Sequence, residues 1–170
     1  KICLFVLFLT LLLVYNNTIP FMLTYNNTFI FDALTTYSKG LILFFSIVCM
    51  AIFEDSLLRQ KINNFEYFIL LLCAVLGLML LVSSFDLISL YLAIELQSLC
   101  LYVLAAAKKD STFSTESGLK YFILGSFSSG LLLFGISIIY GTVGTTNFEN
   151  LSLLFAGSNE VLINLESSII

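Results

Sequence analysis

The sequence has no histidine, no tryptophan and one proline in 170 residues, and only 11% of its residues are charged. An ordinary soluble domain carries roughly 25% charged residues, so too few polar side chains are present to cover a water-facing surface. The four cysteines, Cys3, Cys49, Cys73 and Cys100, each lie in an apolar run without a CxxC pair. Together with the missing histidines, this removes most zinc, heme and iron–sulfur ligand sets. The cysteines read as small buried hydrophobes. A glycine-rich phosphate loop is also lacking, so no cofactor is expected in this chain. Basic residues are sparse, with seven Lys and Arg against eleven Asp and Glu, and Lys108-Lys109 is the one adjacent pair. No basic patch points to nucleic acid.

What is abundant is apolar. Hydrophobic residues make up 59% of the chain, 17 of them phenylalanine, and the mean hydropathy is +1.05. Enrichment in Phe, Ile, Asn and Tyr over Pro and His matches AT-rich codons, as organelle genomes often have. The apolar residues fall into five segments, at about 2–15, 31–53, 65–82, 86–107 and 115–140. A spanning helix needs about 20 mostly apolar residues. The last three segments meet that length, the second does so if its first turns carry Asp32 and Lys39, and the first is short and reads as the latter part of a helix. The expected fold is therefore all-α, a polytopic transmembrane bundle of about five spanning helices forming one domain over residues 1–170.

Polar connections separate the segments. Asn16–Thr28 and Glu54–Asn64 read as loops, Ser83-Ser84 as a tight turn, and Lys108–Ser114 as a charged loop. Gly141–Gly144 breaks the chain after the fifth helix. Phe148–Phe155 is short and mixed, suited to an interfacial turn, and Val161–Ile170 begins a further apolar segment. Lys1, Arg59, Lys61, Lys108 and Lys109 fall on one side of this topology and Lys39 alone on the other. The positive-inside rule orients the basic side inward, toward the matrix in a mitochondrion. The Asn-x-Ser/Thr triplets at Asn16, Asn26 and Asn150 are chance matches in an Asn-rich chain.

Charge inside a spanning segment is costly, roughly 2.5–3.5 kcal/mol on insertion scales. Glu95 is the clearest case, about 13 Å into the fourth segment at 1.5 Å per residue. Tyr91, Ser98 and Tyr102 share its helix face and make one polar line. Burial favours a neutral carboxyl and a neighbouring cation favours the charged form, so such a group can load and release protons. The alternative is a structural carboxylate tying helices together through Tyr or Ser. Lys120 is the second case, four residues after Glu116 in the favoured order; it reads equally as a functional lysine or as one snorkelling from a helix end. The two differ in depth by roughly 9 Å on rise counting, so water or a hydroxyl chain has to bridge them. Asp32, Lys39, Glu66 and Asp86 are expected to be interface or capping charges. The fifth segment carries small-xxx-small pairs, Gly125/Ser129 and Ser126/Gly130, which predict burial among other helices.

The stretches YLAIELQSL around Glu95 and STESGLKYFILGSFSSGLLLFG around Lys120 resemble subunit 2 of the proton-pumping NADH:ubiquinone oxidoreductase, respiratory complex I, especially in its plant and protist mitochondrial forms. FIFDALTTYSKGLIL and NNFEYFILLL match more weakly, and the resemblance covers about residues 29–150. It implies an antiporter-like subunit of the membrane arm, built from inverted five-helix repeats in a mitochondrial inner membrane. Glu95 falls on the family's glutamate and Lys120 on a lysine one helix later, the pair implied to carry proton translocation. The family's principal relay lysines lie on later helices, so this chain carries part of one proton path. NADH, FMN, iron–sulfur clusters and ubiquinone are implied to be handled by partner subunits. The implied partners are other membrane-arm subunits, membrane lipid, and a second chain carrying the C-terminal part of a split subunit. The competing readings are a cation/proton antiporter of the same superfamily and a purely structural fragment.

Overall fold

A computed structural model describes residues 2–16, 21–59, 65–108 and 110–156. Lys1, Pro20, Lys61, Lys109 and the apolar run Val161–Ile170 lie outside the described residues. The chain folds as α1 (Ile2–Asn16), β1 (Met22–Thr24), β2 (Phe29–Phe31), α2 (Ala33–Arg59), α3 (Phe65–Ser83), α4 (Leu87–Ala105), α5 (Thr112–Val143) and α6 (Phe148–Phe155). Four of the described helices are long and apolar enough to cross a membrane: α2 over Ala33–Phe53, then α3, α4 and α5. At 15 residues, α1 extends about 22 Å, short of a hydrocarbon core about 30 Å thick. The protein is a multi-pass membrane protein.

The expected loop Asn16–Thr28 is corrected by the structure. Met22–Thr24 and Phe29–Phe31 pair antiparallel, with Leu23 opposite Ile30. Tyr25, Asn26 and Asn27 all take left-handed backbone at the turn, with φ of 52°, 60° and 65°, a conformation asparagine tolerates better than most residues. The second helix consequently starts at Ala33, not at Phe31. Asp32 enforces that start: its Oδ1 accepts the Ala33 N–H at 2.6 Å, and its carbonyl accepts the Thr36 N–H at 3.0 Å. A carboxylate here satisfies a donor that the first helical turn leaves free.

Helices α1 to α5 pack in chain order, each against the next. Leu7 of α1, Leu43 and Met50 of α2, and Val75 of α3 form the buried cluster. Helices α3 and α4 approach closely at Gly77, where an added Cβ would stand 3.0 Å from the Gln97 nitrogen and 3.2 Å from the Ala93 carbonyl oxygen. At its end α5 is closed by Gly144, left-handed at φ 79°, whose N–H bonds the Tyr140 carbonyl at 2.8 Å.

One end of the bundle is stitched by backbone. The Phe85 N–H donates to the Thr28 carbonyl at 2.8 Å, the Phe148 N–H to the Phe85 carbonyl at 3.2 Å, and the Leu87 N–H to the Thr146 carbonyl at 3.0 Å. The Asn147 side-chain amide donates to the Asn27 carbonyl at 2.9 Å while its Oδ1 caps α6 through the Glu149 N–H at 2.9 Å. The hairpin, the α3–α4 turn and the α5–α6 connection thus form a single lid.

Candidate functional site

Helix α4 is the middle of three, with α3 on one side and α5 on the other. Ala93 and Gln97 meet α3 at Gly77, whereas Ala106 and Tyr102 meet α5 at Gly118 and Gly125. Glu95 lies seven residues, almost two full turns, before Tyr102, and so shares the α5-directed face. Its Oε2 is buried and has no hydrogen-bond partner among the described residues. Ser98 does not reach the carboxylate: its hydroxyl donates to the Glu95 backbone carbonyl at 3.1 Å. The polar line on α4 is therefore real in placement, but its members do not form a bonded chain with the carboxylate. An unmet buried oxygen costs about 1–3 kcal/mol, so this oxygen is open to a group from outside these helices.

Tyr102 closes the lower part of the α4–α5 seam. It is buried, and its ring stands edge-on to Tyr121 at 4.8 Å and to Phe122 at 5.8 Å. Any side chain at position 125 would overlap its phenol. Gly125 is thus needed for this aromatic, not for the small-residue pair with Ser129 that the sequence suggested.

Lys120 is elsewhere. Its Nζ bonds Glu116 Oε1 at 2.6 Å, and both side chains are more than half exposed, at 70% and 59%. Since Gly118 abuts Ala106 and Gly125 abuts Tyr102, position 120 is level with about residue 105 of α4, some 15 Å along the axis from Glu95. The structure does not bring Glu95 and Lys120 together.

The expectation that α5 is buried among helices is not met within this chain. Gly118 and Ile136 are its buried residues, Gly130, Gly135 and Gly141 face open space, and the Ser126, Ser128 and Ser129 hydroxyls turn back to their own helix carbonyls. With only α4 against it, most of its surface has no protein neighbour.

Of the four charges expected at interfaces or caps, Asp32 caps α2, and Glu66 is exposed in the first turn of α3. Asp86 holds the N-cap position of α4 but makes no side-chain cap bond, and its Oδ1 is buried without a partner among the described residues. Lys39 does not pair with Asp32; its Nζ lies over the Phe31 ring at 4.5 Å. Two of these roles were unreadable in the sequence, because each depends on the hairpin or the lid. Asn147, which joins α6 to the hairpin turn, was missed altogether and carried no local signal beyond its capping residue type. Among the described residues no cluster of three or more His, Cys, Asp or Glu could hold a metal.

The family described as "NADH:quinone oxidoreductase/Mrp antiporter, TM" matches residues 84–170, more than half of the chain and including all of α4 and α5. The protein belongs to this family. Over 136 residues it is 52% identical to NADH-quinone oxidoreductase subunit N of Paramagnetospirillum magneticum, covering 80% of this chain and 28% of that protein. It is 49% identical over 146 residues to NADH-ubiquinone oxidoreductase chain 2 of Marchantia polymorpha, covering 86% and 30% respectively. Among solved structures, a chain of respiratory complex I from Thermus thermophilus with bound aureothin superposes with a TM-score of 0.71 at 26% identity, over 85% of this chain and 31% of that one. The chain thus spans less than a third of the length of these relatives, and within the antiporter-like family the similarity is to the chain 2/subunit N type.

Proposed function

We propose that this chain is part of the proton-translocating subunit 2 of NADH:ubiquinone oxidoreductase, seated in the membrane arm with other subunits. The observation that carries this reading is the half-buried Glu95 side chain on the α5-directed face of the central helix, whose Oε2 is buried and unpartnered among the described residues. A structural carboxylate would spend both oxygens on neighbouring helices. One left open suits a group that exchanges a proton with a partner arriving from beyond α5. Lys120, bound to Glu116 at the far end of the same face pair, is an accessory charge in this scheme. The redox chemistry belongs to partner subunits, and NADH oxidation reaches this chain only as conformational or electrostatic change.

The open face of α5 supports further helices packing there, supplied in this reading by a second polypeptide carrying the remainder of the subunit. Intact mass of the purified subunit tests that part: a separate complementary polypeptide supports it, and a single heavier chain removes it. Composition favours a mitochondrial inner membrane; the subunit N relatives, equally similar, make a bacterial membrane the alternative location.

The decisive experiment measures protons moved per NADH oxidised in assembled complexes carrying Glu95→Gln. Reduced stoichiometry with retained assembly is expected. Normal stoichiometry would return Glu95 to a structural role and favour the scaffold reading.

A further inference from the structure

Beneath the hairpin lies a half-open cavity of about 510 Å³, bordered by α1, α2, α3 and both strands. None of the proton-handling residues discussed above lines it. Its walls are apolar, from Val6 and Leu7 on α1, Leu43 on α2, and Leu72, Leu76 and Met79 on α3. Thr10 and Ser83 also border it, but their hydroxyls donate to the Leu7 and Met79 carbonyls of their own helices at 2.8 and 3.0 Å. Tyr25 also borders it but is exposed at the turn, and two inward polar groups remain. Lys39 contributes its ammonium, and Thr24 on β1 contributes an Oγ1 that is buried without a partner among the described residues.

Their placement has a common sense. Lys39 is six residues beyond the start of α2, about 9 Å below it. Its long side chain rises toward the hairpin, where Nζ reaches the Phe31 ring. That is the behaviour of a lysine lifting its charge to the polar boundary of a bilayer. Among the described residues no carboxylate pairs with it, since the one ion pair there is Lys120–Glu116. A cation at membrane depth without a counter-charge is costly. The apolar volume below it offers water few polar partners and suits an acyl chain.

We propose that this cavity is a binding site for an anionic phospholipid, one acyl chain lying between α1 and α3 and the phosphate received by the Lys39 ammonium and the Thr24 hydroxyl. A negatively charged headgroup supplies what both polar groups lack, through charge-assisted hydrogen bonds. A zwitterionic lipid fills the apolar part but leaves the Lys39 charge uncompensated overall.

The test uses the assembled complex reconstituted in phosphatidylcholine vesicles containing a phosphatidylglycerol with a photoreactive diazirine on its acyl chain. Cross-links are expected on the peptide spanning Leu72–Met79. Lys39→Met should lower their yield roughly tenfold, the equivalent of about 1.4 kcal/mol, and Lys39→Arg should keep most of it. A phosphatidylcholine probe should label weakly and be indifferent to position 39. Equal labelling by the two probes, or a yield unchanged in Lys39→Met, overturns the proposal and reduces the cavity to unselective lipid contact. If the position-39 variants do not assemble, competition on the unaltered complex decides: unlabelled phosphatidylglycerol must suppress the cross-link more strongly than phosphatidylcholine, and failure to do so is equally fatal.

Discussion

The phenol of Tyr102 on α4 occupies the space that a side chain at position 125 of α5 would need. These two residues set how close the two helices come and, through the rigid rise of α4, where Glu95 stands two turns further along.

Replacing Gly125 with alanine forces either the ring or the helix to move. Overpacking of this kind costs typically about 1–3 kcal/mol. The variant is expected to weaken the subunit in detergent thermal-stability assays, and Tyr102→Leu in the same chain should recover part of the loss. If Gly125→Ala alone is neutral, the close approach is not a constraint on assembly.

Glu95→Gln keeps the size and polarity of the side chain and removes its titration. We expect assembly at near-normal levels with proton pumping reduced several-fold relative to NADH oxidation. Glu95→Asp, which retains a carboxyl but withdraws it by one methylene, should fall between. Pumping measured by a pH-sensitive dye in reconstituted vesicles checks the order.

Lys120→Met should affect pumping less than Glu95→Gln does, because the lysine is already paired with Glu116 and lies about 15 Å of helix rise away from Glu95. An exposed pair four residues apart contributes roughly 0.3–0.5 kcal/mol, so Glu116→Gln should be close to silent in stability. A Lys120 defect exceeding that of Glu95 would reverse the ranking of the two residues.

Asn147→Ala removes two bonds at once, one to the Asn27 carbonyl and one from the Glu149 N–H. About 1–2 kcal/mol of local stability should be lost, seen as faster amide exchange in the hairpin and α6 with little change in α4. Uniform destabilisation across all helices would show that the lid is not a separate unit.

In the mitochondrial membrane proposed above, the excess of Lys and Arg in the connecting segments of the sequence is expected to put the loop between α4 and α5 on the matrix side. A cysteine introduced at Ser111 should react with a membrane-impermeant maleimide only when the matrix face is open. Labelling from the intermembrane space would invert the topology.

The sequence by itself determined which segments are long and apolar enough to cross a membrane, with the first left short. Hydropathy is summed along the chain, so α3 and α4 stand out wherever their neighbours fold, and the cost of Glu95 in such a segment follows from its residue type alone. It did not determine which way each helix faces. In a soluble helix an apolar stripe marks the buried side, but here lipid and protein are both apolar, so the side of α4 toward α3 and the side toward α5 look alike until Gly77 and Gly125 show where the neighbours approach. Phe31 read as the start of a helix because apolar residues suit both forms. Pairing with Met22–Thr24 made it a strand, a contact across a turn of three left-handed residues that no local pattern specifies. Asp86 and Lys39 were legible as charges but not in their settings, since burial under the lid and exposure to the cavity arise from segments far apart in sequence. Separation of Glu95 from Lys120 was decided in the same way, by the register in which α5 runs back along α4.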